Sequence, residues 1–129
     1  MAIKREVFQS AALPRLLPFS SVVRAGETLY VSGNLGNVPG KFALVAGGVT
    51  AETRQALENI RESLAVAGSS LDRVVKCTVF LVDMADFQAM NEVYREFFPI
   101  DPPARTTVGV QALAMNARVE IECIALAGK

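Results

Sequence analysis

The run 74–82, Val-Val-Lys-Cys-Thr-Val-Phe-Leu-Val, constrains the fold more than any other stretch of the chain. β-Branched and aromatic side chains dominate it, which favours a pleated strand. Val75, Cys77, Val79 and Leu81 are expected on one face, and Val74, Thr78, Phe80 and Val82 on the other. Both faces are largely apolar, so this strand is expected at the centre of a sheet with both sides covered.

Amphipathic helices flank it. Upstream, Ala56, Leu57, Ile60, Leu64 and Ala67 recur at helical spacing, with Arg54, Glu58, Arg61 and Glu62 on the other side. Thr50 is the expected N-cap and Gly68 the stop. Downstream, Asp83 is placed to cap a second helix whose stripe is Phe87, Met90, Asn91, Tyr94, Phe97 and Phe98. Pro99, Pro102 and Pro103 end it. Residues 20–24 and 29–32 read as a hairpin around the turn 25–28. The stretch before about Pro18 reads as irregular, and 36–48 as a Gly-rich loop with a short strand at 42–45. Residues 105–111 and 118–126 read as a closing hairpin joined by 112–117. The order predicts one α+β domain over 1–129, with two helices on one face of a mainly antiparallel sheet.

The chain has 129 residues, enough for one core without disulfides. Roughly 56 % of it is apolar when Gly is counted and Tyr is not, above the usual ~45–50 %, so a subunit interface is expected to take the surplus. Thirteen basic and thirteen acidic side chains cancel, which argues against a nucleic-acid partner. Histidine is absent, which excludes Ser-His-Asp and Cys-His catalysis and imidazole-based metal sites. Acid–base chemistry falls to Asp, Glu, Lys, Tyr, Cys or bound water. Cys77 and Cys123 lie in apolar runs and read as buried free thiols of a reducing cytoplasm. The N-terminal residues lack the apolar core of a signal peptide, and no run approaches the ~20 apolar residues of a membrane span.

The closing strands carry the candidate chemistry. With Thr106, Val108 and Val110 facing the core, and Val119, Ile121, Cys123 and Ala125 likewise, Arg105, Thr107 and Gly109 would share the outer face with Glu120 and Glu122. A guanidinium matches a carboxylate, and a nearby acid can orient a water. The alternative is an ordinary cross-strand ion pair between Arg105 and Glu120 or Glu122.

Several segments together resemble the RidA (YjgF-like) family. They are Pro103-Ala104-Arg105-Thr106-Thr107-Val108 with Val119-Glu120-Ile121-Glu122-Cys123-Ile124-Ala125; Gly26 with Leu29-Tyr30-Val31-Ser32-Gly33; the run 74–83; and Asp86-Phe87 with Asn91-Glu92-Val93-Tyr94 and Phe97-Phe98. The resemblance spans about Pro18 to Ala127. It implies a chorismate-mutase-like fold assembled as a homotrimeric barrel with clefts between subunits. It also implies a cofactor-independent hydrolase acting on the C=N bond of a small 2-imino acid, with no metal. Arg105 would hold the substrate carboxylate and Glu120 the attacking water. Ser32, Gly33 and Asn91, from the neighbouring subunit, would line the cleft with Phe19 and the backbone of Thr107. Phe19 replaces the Tyr of many family deaminases and lacks its hydroxyl, and Thr107 stands where Cys is common. Two further readings stay open. One is a non-catalytic trimer that binds small carboxylates; the other is an RNA-acting member, disfavoured by neutral charge and by the absence of His and Trp.

Overall fold

A computed structural model describes residues 2–14 and 16–128. Met1, Arg15 and Lys129, which fall in the expected 1–129 domain, lie outside the described residues. The elements in chain order are β1 (Arg5–Phe8), β2 (Val22–Ala25), β3 (Thr28–Asn34), α1 (Gly48–Val66), β4 (Val74–Leu81), α2 (Phe87–Phe97), β5 (Ala104–Gly109) and β6 (Val119–Leu126). The strands form one sheet in the order β1-β2-β3-β6-β4-β5. Every ladder is antiparallel except β4–β5, which is parallel. Both helices pack on one face, over a core that includes Leu29, Leu57, Ile60, Leu64, Val79, Leu81, Met90 and Ile121. The α+β architecture is as expected, on a mixed sheet.

The expected closing hairpin does not form. β5 pairs with β4, and β4 lies between it and β6. The reason is the intervening helix: α2 carries the chain from the end of β4 back to its start, as a parallel crossover requires. The register aligns Arg105 with Cys77 and Cys123, and Thr107 with Val79 and Ile121, all four partners being buried core residues. Arg105 and Thr107 therefore face the helices. Thr106 and Val108 face away, the reverse of the sequence expectation.

Other departures are local. β1 forms within the stretch read as irregular and adds an outer strand to β2. A register shift between Val74 and Lys76 buries Val74 and leaves Val75 43 % exposed; from Cys77 onward the alternation holds. Thr50 is not the N-cap of α1. Gly47 and Gly48, at φ 120° and 74°, turn the chain into the helix earlier, where a Cβ would be strained. Only an isolated bridge, Asn37 to Leu44, stands near the expected strand at 42–45. Gly68 does stop α1: it donates to Ala65 O while Ser69 donates to Leu64 O. No layer of the described residues covers the second face of the sheet. Across it runs the row Val7, Val23, Tyr30, Ile124, Lys76, Ala104, with Tyr30 50 % exposed. Among the described residues, no helix is long and apolar enough to cross a membrane.

Candidate active site

Arg105 leaves β5 beneath α2. Its guanidinium carbon lies 4.7 Å from the ring centroid of Tyr94 and 5.7 Å from that of Phe87. Its Nη1 is 3.8 Å from the sulfur of Met90. Among the described residues it makes no ion pair, so the cross-strand alternative with Glu120 or Glu122 does not form. It opens onto a hollow of about 280 Å³ shared with Asn91, Tyr94, Phe98, Pro102 and Pro103. Thr107 stands on the same face two residues on, its hydroxyl buried without a partner. A half-buried guanidinium without a counter-ion is a site for an anion.

Glu120 lies on the other face of the sheet, in register with Phe80. Two strand spacings and three residues of rise put its Cα roughly 14 Å from that of Arg105. The expectation that the two share a face is therefore corrected: the central position of β4 and the parallel register of β5 turn them apart. Burial, reinforced by negative Glu122, pushes the Glu120 carboxyl above its ordinary range. Arg118 anchors the entry to β6. Its backbone N–H donates to the Glu52 carboxylate at 2.9 Å and its guanidinium pairs with Asp86 at 2.8 Å, tying both helices to that end of the strand.

Gly33 is bare because Glu120 needs the space. A Cβ there would stand 2.6 Å from Glu120 Oε2, while its φ lies outside the left-handed range. The register shift between Val31 and Asn34 brings this segment alongside the carboxylate. Ser32 is tied to the preceding strap: its N–H donates to Ser21 O at 3.0 Å and its hydroxyl to Ser20 O. Phe19, next in that strap and about half exposed, lines a separate hollow with Leu13, Leu17 and Phe42.

The residues singled out from sequence thus form two groups. Arg105, Asn91 and Thr107 stand on the helix-covered side; Glu120, Gly33 and Ser32 gather on the other, while Phe19 lines its own hollow beside the strap. Asn91 keeps company with Arg105, not with Ser32 and Gly33. The aromatic setting of Arg105 was not foreseen, although Phe87, Met90 and Tyr94 were visible as one helical stripe. Cys77 and Cys123 are free and buried, and burial pushes both thiols up.

A family model described as "Endoribonuclease L-PSP" (Ribonuc_L-PSP) matches residues 9–127. The chain is 44 % identical over 128 residues to the 2-iminobutanoate/2-iminopropanoate deaminase of Capra hircus, covering 98 % of this chain and 93 % of that one. It is 41 % identical over 125 residues to the chloroplastic Reactive Intermediate Deaminase A of Arabidopsis thaliana, covering 96 % and 67 %. Among solved structures it superposes on RidA from an Antarctic Psychrobacter with a TM-score of 0.88 at 38 % identity, covering 94 % and 98 %.

Proposed function

The chain belongs to the Ribonuc_L-PSP (RidA/YjgF) family, and on that premise we propose that it deaminates reactive 2-imino acids to 2-oxo acids and ammonia. Water adds to the C=N carbon, a proton passes to nitrogen, the C–N bond breaks and ammonia departs. Arg105 grips the substrate carboxylate and fixes the imine carbon. Glu120 holds the water and takes its proton, a role its raised pKa suits. Asn91 and the backbone of Thr107 complete the anion side; Phe19, Ser32 and Gly33 border the water side. The reaction asks for neither metal nor cofactor.

Because Arg105 and Glu120 lie on opposite faces of one sheet, one chain does not bring them together. A second copy does: the edge strand β5 of one subunit delivers Arg105 to the Glu120 face of its neighbour. The uncovered, partly apolar sheet face supports this assembly, which we take to be the homotrimeric barrel of a chorismate-mutase-like fold. The buried free thiols support a cytoplasmic setting.

The observation that carries the reading is the unpaired guanidinium of Arg105 beside a hollow of small-acid size. Its test is imine loss after a dehydratase generates 2-aminocrotonate or 2-aminoacrylate in situ. The protein accelerates the loss, and Arg105→Ala lowers kcat/KM on the order of 100-fold. Equal acceleration by Arg105→Ala overturns the assignment. The missing hydroxyl at Phe19 favours a second reading, carboxylate binding without turnover; 2-oxobutanoate binding with no acceleration would establish it.

A further inference from the structure

Removing a guanidinium from water costs free energy, and proteins usually offset that cost with a carboxylate. Arg105 is half-buried and has none among the described residues. Its guanidinium rests on two ring faces and a thioether, Tyr94 at 4.7 Å, Phe87 at 5.7 Å and the Met90 sulfur at 3.8 Å, and the hollow beyond it is lined also by Asn91 and a second cation, Arg95. Ring faces attract a cation through their quadrupole and carry no net charge. The positive charge is therefore held in place without being cancelled. A carboxylate partner would hold it too, but an incoming acid would have to displace that partner.

Tyr94 is the fixed member of this cradle. It is buried, and its ring packs against Phe98 at 4.8 Å between centroids. Its hydroxyl is buried against the Cys77 thiol, with no hydrogen-bond partner at normal geometry among the described residues. The hydroxyl thus gives Arg105 nothing; the ring does. Phe87 starts α2 and Tyr94 lies two turns further on, so a single helix carries both rings to the strand that bears the arginine.

We propose that Tyr94 and Phe87 are positioning residues, which hold Arg105 un-neutralised and aimed at the substrate carboxylate. The inference rests on the carboxylate-binding role given to Arg105 above, and its test separates the two. The Arg105 Nε–Hε resonance, identified by its loss in Arg105→Lys, is expected to be displaced by ring currents. Tyr94→Phe keeps that displacement, whereas Tyr94→Leu and Phe87→Leu reduce it. The Kd for 2-oxobutanoate and the KM for the imine rise roughly 3- to 30-fold in Tyr94→Leu, the range a lost cation–π contact spans, with kcat little changed. Tyr94→Phe binds like the wild type.

An undisplaced wild-type resonance overturns the cradle whatever the protein binds. So does wild-type affinity in both leucine variants, or a Tyr94→Phe variant as weak as Tyr94→Leu. A displaced resonance in a protein that binds no carboxylate supports the cradle and overturns the function it was read to serve. Should Tyr94→Leu fail to fold, Phe87→Leu carries the same comparison at a half-buried ring.

Discussion

At the scale of single residues, Glu120 and its surroundings decide the pH response. Its carboxyl titrates above the ordinary range, first because it is buried and second because Glu122 is negative beside it. In the base role proposed for it, Glu120 must be ionised, so kcat/KM is expected to rise with pH through that elevated pKa. Glu122→Gln removes the repulsion and moves this acid limb to lower pH, which a pH–rate profile reads directly. The linked stability effect has a definite sign. A carboxyl whose folded pKa is raised favours the native state most below its unfolded pKa and loses that advantage as pH rises through the folded value. Glu120→Gln is therefore expected to melt above the wild type at neutral pH. The two melting temperatures converge below about pH 4, where the unfolded carboxyl is itself protonated. Residue identities were legible at this scale, and Arg105 and Glu120 stood out from sequence. Their surroundings were not. That Gly33 serves clearance rather than a left-handed turn depends on a register shift in β3, and nothing in Ser32-Gly33-Asn34 announces it.

The elements show where periodicity suffices and where it fails. Alternation located β4 and β6, and helical spacing located both helices, because burial imposes those periods. Alternation does not name a strand's partner. Thr106, Val108 and Val110 share one face of a strand as the inner set of a hairpin arm would, yet Thr106 and Val108 face away from the helices. The legible clue was the order strand–helix–strand over 74–109, which favours parallel pairing of the outer two. Capping behaves similarly. Asp83 does not cap α2 itself: its side chain accepts from the Ala85 N–H at 2.9 Å and caps the single 3-10 turn 84–86 that leads into the helix, whose own N-cap, Asp86, makes no side-chain capping bond. Thr50 is already the third residue of a helix that Gly47 caps and Gly48 starts. Asp83→Ala is expected to cost about 1 kcal/mol, while Thr50→Ala stays within about 0.5 kcal/mol. Urea midpoints of the two variants check the contrast.

For the whole molecule, part of the apolar surplus read from composition is exposed on the sheet face opposite the helices, at Tyr30, Val7 and Val108. How copies would meet there is no property of one chain's periodicity, so the proposed division of the site between subunits does not follow from alternation along the strands. That division has a test. Arg105→Ala and Glu120→Gln homo-oligomers are each expected to be inactive. If they are unfolded together in equal amounts and refolded, about a quarter of the clefts join an intact Arg105 to an intact Glu120 from its neighbour. Activity returns in that proportion. A site contained within one subunit regains nothing on mixing.

β5 hangs from the sheet by a single ladder, and that ladder is the parallel one, slanted and slightly weaker per residue than its antiparallel counterparts. Local opening therefore reaches the strand where Arg105 is rooted more readily than the inner strands, at one hem of the sheet. In the proposed assembly, an acid gripped by that side chain would stitch the hem to its neighbour, so occupancy and rigidity at this margin would rise together.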